Sequence, residues 1–168
     1  MAYLDLRDFA DKLKAVGELQ EVKVPVSPDL EMTEVSRRVL EKGGPALLFT
    51  QPAGYDLPVM ANLFGSINRI AMAVGGGGLS GLRQLGEFLA SLREPKQPEK
   101  LSGLFSMMPL LKSLWHMKPR MEKKGPCQQV VLAGGEVDLS MLPVQTCWPG
   151  DAGPLITWGV TVTRGPVK

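Results

Sequence analysis

The run Thr146-Cys147-Trp148-Pro149-Gly150-Asp151-Ala152-Gly153-Pro154-Leu155-Ile156-Thr157-Trp158-Gly159-Val160-Thr161-Val162-Thr163-Arg164-Gly165 decides the reading of the whole chain. Its first half crowds Pro149, Gly150, Asp151, Gly153 and Pro154 together, the chemistry of a turn. Its second half alternates with a period of two, the pattern of a half-buried strand. Ile156, Trp158, Val160 and Val162 fall on one face, and Leu155, Thr157, Gly159, Thr161 and Thr163 on the other. A strand this apolar needs neighbours on both edges. They are expected beyond Lys168, so the sequence reads as the front part of a longer protein.

Upstream, the elements alternate. Leu6, Phe9, Leu13 and Val16 recur at helical spacing behind a capping Asp5, with Asp8 at the positive helix end and Gly17 as the stop. Glu18 to Val24 alternates like a strand, and Pro25 ends it. Ser27-Pro28-Asp29 predicts a second helix start, with Met32, Val35 and Val39 as its apolar face and Gly43-Gly44-Pro45 as its stop. Ala46 to Phe49 reads as a short buried strand, Gln51 to Pro58 as a turn, and Val59 to Phe64 as another strand. Ser66 to Val74 and Ser80 to Leu92 read as helices, the longer one carrying Leu82, Leu85, Leu89 and Leu92 on one face. Such an order predicts a mixed α/β layer.

Glu94-Pro95-Lys96-Gln97-Pro98-Glu99-Lys100 is a linker by composition. Leu101 to Met117 is an apolar stretch that Pro109 should start or kink as a helix. Pro119 to Pro126 is a second, basic linker. Cys127 to Leu132 reads as a strand broken by Gly134-Gly135, and Asp138 to Pro143 as a short connection. The expected division is therefore an α/β domain over 1-95, a linker with an apolar helix over 96-126, and the start of a β-rich domain over 127-168.

Hydrophobic residues are 44% and charged residues 21% of the 168, enough for a packed core. A net charge of +2 gives no footing for nucleic acid. The one basic cluster, Lys118, Arg120, Lys123 and Lys124, suits a solvated linker. The opening residues carry early acids and no apolar core, unlike a signal peptide. No apolar run approaches the roughly 20 residues of a membrane span. Cys127 and Cys147 could form one disulfide, but nothing else points to secretion. A cytoplasmic protein with reduced thiols is expected.

Few residues invite chemistry. Gly75-Gly76-Gly77-Gly78 precedes a helix, as a phosphate loop would, yet no GK[ST] follows. A flexible connection accounts for it. His116 is the only histidine and has no partner at metal-ligand spacing. Neither cysteine has a base beside it in sequence. The Met107 to Trp115 stretch is adaptable and apolar. It suits packing against further protein, a membrane surface, or a channel for an apolar substrate.

Taken in order, several segments resemble the UbiD-type decarboxylases. They are Asp5-Leu6-Arg7-Asp8-Phe9, Gly17-Glu18-Leu19, Glu31-Met32-Thr33-Glu34, Gly43 to Phe49, Asn62-Leu63-Phe64-Gly65, Gly125 to Gln129, Val137-Asp138-Leu139 and the run from Cys147 to Gly165. The resemblance implies an N-terminal mixed α/β domain followed by the first strands of a split β-barrel flavin-binding domain. It implies non-oxidative decarboxylation of 4-hydroxy-3-polyprenylbenzoate in ubiquinone biosynthesis, with prenylated FMN and Mn²⁺ as cofactors. It further implies a prenylated aromatic acid as substrate, a homo-oligomer, and peripheral contact with the inner membrane. The family's Asn, His and Glu around the metal and its Glu-Arg-Glu network are expected after Lys168, so no catalytic or metal residue is assigned in this chain. Thr157 alone is placed near cofactor or substrate; a plain strand threonine is the alternative. These residues by themselves are expected to be inactive and to hold no cofactor. Two other readings stay open: a non-enzymatic α/β interaction module, and a flavin reductase with a split barrel.

Overall fold

A computed structural model describes residues 3–93, 123 and 125–156. They fall into two compact units, Met1–Leu82 with Asp138–Lys168, and Arg83–Val137. The first unit is built around a small sheet. Helix α1 (Leu6–Ala15) leads into β1 (Leu19–Val22), α2 (Glu31–Glu41), β2 (Ala46–Phe49), β3 (Val59–Ala61) and α3 (Ile67–Ala73), and α4 (Gly78–Arg93) follows.

The ends of α1 explain its length. Asp5 Oδ1 accepts from the Asp8 N–H at 2.9 Å, and Asp8 Oδ2 accepts from the Leu4 N–H at 3.2 Å. At the other end Gly17 takes φ +76°, the Gly17 N–H donates to Lys14 O and the Glu18 N–H donates to Leu13 O. That pair of bonds is a Schellman stop, which needs a left-handed residue at the glycine. It turns the chain straight into β1.

The sheet order is β1-β2-β3, with β1 parallel to β2 and β3 antiparallel to it. A parallel pair requires a crossover, and α2 supplies it. Alternation along β2 then sorts the core into two faces. Leu47 and Phe49 pack with Met32 and Val26, backed by Val35 and Val39 of α2. Ala46 points the other way, among Phe9 and Leu13 of α1 and Met72 of α3. Phe49, Leu13 and Met32 are fully buried, each contributing about 1.5–3 kcal/mol of hydrophobic stabilisation. The mixed α/β expectation holds.

Three boundaries differ from the sequence expectation. The second helix does not begin at Pro28. Ser27 Oγ accepts from the Asp29 N–H at 3.1 Å, but Leu30 turns to φ +63° and the helix starts at Glu31. The cause is tertiary: the Leu30 N–H donates to Thr146 O at 2.9 Å, and Asp29 and Thr146 form an isolated parallel bridge. Strand β1 ends at Val22 rather than Val24, which is exposed. Strand β3 ends at Ala61, because Asn62 takes φ +57° and its Nδ2 donates to Ser36 O at 2.7 Å. Asparagine tolerates that left-handed backbone better than most residues.

The second unit contains most of α4 and the turns that precede residue 138. Leu82, Leu85 and Leu92 of α4 are partly covered as expected, but Leu89 is exposed and Phe88 takes the more covered position. Cys127 to Leu132 is not a strand. Residues Pro126–Gln128 form a 3-10 turn and 129–133 are irregular. Strand geometry is stable only when a neighbour completes the ladder, and none pairs with them among the described residues. The expected helix over Leu101 to Met117 lies outside the described residues; of the strand expected over Leu155 to Thr163 only Leu155 and Ile156 are described, and they are irregular.

Candidate functional site

The turn-rich segment before Leu155 is fastened to the α/β layer at the start of α2. Thr146 contributes its carbonyl to Leu30, as above. Gln145 adds its side chain: Thr33 Oγ1 donates to Gln145 Oε1 at 3.3 Å, and Gln145 Nε2 donates to Met32 Sδ at 3.8 Å. The segment then closes on itself. The Trp148 N–H donates to Asp151 Oδ2 at 2.9 Å, Gly150 takes φ +94°, and the Leu155 N–H returns to Gln145 O at 3.1 Å. Glycine is required at 150, since that φ is costly for a side chain.

This hook leaves an open apolar cleft of about 630 Å³. Leu142, Val144, Leu155 and Ile156 form much of its wall, and Tyr55 and Ser140 bring the hydroxyls. A smaller hollow of about 400 Å³ shares Leu142, Val144, Leu155 and Ile156 and adds Gln145 and Cys147. Ser140 is held from behind. Its N–H donates to Asp138 Oδ1 at 2.8 Å and its Oγ to Asp138 Oδ2 at 2.7 Å. Those bonds hold the Asp138 carboxyl below its ordinary range, the hydroxyl bond contributing most. The hydroxyl proton is therefore committed, and Ser140 offers the cleft an acceptor. No charged side chain lines the cleft among the described residues.

Two models of one carboxy-lyase family match the chain. Residues 10–89 match the 3-octaprenyl-4-hydroxybenzoate carboxy-lyase N-terminal domain, and residues 119–168 its Rift-related domain. The chain belongs to the UbiD family. Solved UbiD structures share the fold. The UbiD-class enzyme HmfF from Pelotomaculum thermopropionicum, in complex with FMN, is 24% identical with a TM-score of 0.64; the match covers 89% of this chain and 28% of that one. An evolved dimeric form of HmfF in complex with prFMN is also 24% identical, with a TM-score of 0.61, covering 89% and 29%. This UbiD-family chain thus spans under a third of the length of either, and at that identity the likeness is one of fold.

Prenylated FMN and Mn²⁺ need phosphate donors and hard metal ligands. No group of three or more His, Cys, Asp or Glu could hold a metal among the described residues. The cleft wall offers two hydroxyls and no cation. The described residues of this UbiD chain therefore do not fit either cofactor.

The residues singled out from sequence are scattered. Thr157 and His116 lie outside the described residues. Cys147 is a free, half-buried thiol facing the smaller hollow, and Cys127 sits in the turn over Pro126–Gln128. Gly75, Gly76, Gly77 and Gly78 all take positive φ, and a Cβ on Gly81 would stand 2.5 Å from Gly76 O. They form a tight connection between α3 and α4. Tyr55 and Ser140 carried no functional signal in the sequence: both sit in stretches that read only as connections. No helix among the described residues is long and apolar enough to cross a membrane.

Proposed function

We propose that the protein takes part in the non-oxidative decarboxylation of 4-hydroxy-3-polyprenylbenzoate in ubiquinone biosynthesis. In that reaction the bond between the ring and the carboxylate carbon breaks, CO₂ leaves, and a proton takes its place, with no net oxidation. In this reading prenylated FMN with Mn²⁺, held by parts of the enzyme other than the described residues, would supply the bond-breaking chemistry. The α/β layer of this chain supplies a rigid platform, and Gln145 and Thr146 hold the segment leading to Thr157 against it. Thr157 contacts cofactor or substrate in this reading. The enzyme works as a homo-oligomer in the cytoplasm, with the apolar Leu101 to Met117 stretch touching the inner membrane where the substrate resides.

The observation that carries this reading is the ordered match to both domains of one carboxy-lyase family, over 10–89 and 119–168. The test is genetic. Deleting the gene that encodes this chain should make cells accumulate 4-hydroxy-3-polyprenylbenzoate and lose ubiquinone. Ordinary levels of both compounds in the deletion strain would overturn it.

A further inference from the structure

We propose that the turn centred on Leu30 is a two-state joint. With Gln145 and Thr146 seated against it, Leu30 is held outside α2; when they leave, residues 28–30 join the helix. Three observations carry it. Leu30 has φ +63° and ψ −38°, and around it the Glu31 N–H donates to Asp29 O at 2.7 Å. Such a bond from one residue to the next but one, over a positive φ, is close to the strained form of γ-turn, and costly for a bulky side chain. Second, the Met32 N–H donates to Ser27 O at 3.0 Å. That carbonyl lies five residues back rather than the four of an α-turn, so the turn holds one residue too many. Third, the residues ahead of Leu30 already form a helix start. Ser27 Oγ accepts from the Asp29 N–H at 3.1 Å, as an N-cap does, Pro28 needs no N–H at the first position, and Asp29 suits the positive end. Local chemistry favours a helix from Pro28, yet α2 begins at Glu31.

What opposes that preference comes from far along the chain. The Leu30 N–H donates to Thr146 O at 2.9 Å, Asp29 bridges Thr146, and Gln145 bonds Thr33 and Met32. A local bond from the Ser27 N–H to Glu31 Oε2 at 2.7 Å helps them. Strained backbone persists only where its surroundings over-determine it, so withdrawing 145–146 removes its support. Leu30 then takes a right-handed φ, the Glu31 N–H exchanges Asp29 O for Ser27 O, and α2 grows by residues 28–30. Upstream, Val26 stays bridged to Pro52, which confines the change to 27–31. The helix lies in the stretch matched to the N-terminal domain, and Gln145 and Thr146 in the stretch matched to the Rift-related domain. Whatever moves the 144–156 hook is thereby felt at the N-terminus of α2. The joint needs nothing from the reaction proposed above.

The experiment compares Leu30→Ala with Leu30→Gly in the intact protein, by hydrogen exchange read at single amides and corrected for intrinsic rates. The two variants lose nearly the same side-chain contacts and differ in backbone preference: glycine accepts a positive φ, and alanine favours the helix. The residue-30 amide, which loses Thr146 O in the released state, should exchange about tenfold faster in Leu30→Ala than in Leu30→Gly. The Glu31 amide should do the opposite and exchange more slowly in Leu30→Ala, because Ser27 O then holds it in helical geometry. The Val26 amide, bonded to Gln51 O, should be the same in both. Gln145→Ala leaves Leu30 intact and should reproduce the contrary response at Leu30 and Glu31, which keeps the test open if a variant at 30 fails to fold. If amides 30 and 31 speed up together, the turn frays with no second state and the proposal is overturned. Equal exchange at residue 30 in the two variants overturns it as well.

Discussion

Arg69 Nη1 donates to Glu18 Oε2 at 2.6 Å, with the arginine side chain 1% exposed and the glutamate 32%. The pair joins α3 to the entry of β1, and Arg69 Nη1 also reaches Gly44 O at 3.2 Å. Among the described residues, Arg69 Nε and Nη2 have no hydrogen-bond partner. The arginine is therefore only partly compensated for its desolvation, and a buried ion pair of this kind is weak evidence for stability.

Unequal effects follow for the two partners. Glu18→Gln should destabilise by about 2–3 kcal/mol, because it leaves a buried guanidinium unpaired; the partial exposure of Glu18 keeps this below the loss for a fully buried pair. Arg69→Met should cost less than about 1 kcal/mol or stabilise, since it removes unsatisfied polar atoms and keeps the volume. Urea denaturation of both variants decides the matter. An Arg69→Met loss larger than the Glu18→Gln loss would mean that the charge pair itself holds α3 in place.

On the exposed side of α2, Glu34 accepts from Arg37 and Arg38, and these bonds lower its carboxyl to about 2, Arg37 contributing most. A depressed carboxyl stabilises the fold above its unfolded value and loses that contribution as pH falls toward about 2. The pair is on the surface, so the global effect should be small. A carbon-detected NMR titration should show Glu34 still ionised at pH 3.5. Replacing both Arg37 and Arg38 by Ala should return its midpoint to the ordinary glutamate range.

Two glycines of α4 should respond in opposite directions. A Cβ at Gly81 would stand 2.5 Å from Gly76 O, a backbone atom that cannot swing aside, whereas at Gly86 nothing lies within 4 Å among the described residues. Gly81→Ala should destabilise by about 1–3 kcal/mol through overpacking. Gly86→Ala should stabilise by about 0.5–1 kcal/mol, the helix preference for alanine over glycine. Thermal unfolding of the two variants side by side is sufficient.

Gln145→Ala removes both side-chain bonds that fasten the hook to α2. About 1 kcal/mol of local stability should go with them. The Leu30 and Leu155 amides, bonded to Thr146 O and Gln145 O, should exchange with solvent several-fold faster while the Phe49 amide in β2 keeps its protection. Unchanged exchange at Leu30 would mean that the backbone bridge alone holds the segment.

The sequence by itself determined the elements whose causes are local. The Asp5 cap, the Gly17 stop, the Ala46–Phe49 strand and a helix over Ser66 to Val74 were legible because each depends on side chains within a few residues. The ordered motifs from Asp5 to Gly165 also carried the family. What the tertiary structure decided was everything set by partners distant in sequence. Leu30 is drawn out of α2 by Thr146, more than a hundred positions away in the numbering, and Asn62 ends β3 by reaching Ser36. Cys127 to Leu132 has strand-like residues but no ladder partner among those described. Tyr55 and Ser140 share one cleft only because the 144–156 hook is pinned to α2. Caps and periodicity are local free energies, readable along the chain. A long-range hydrogen bond or a cleft wall exists only once folding has met the entropy of bringing distant segments together.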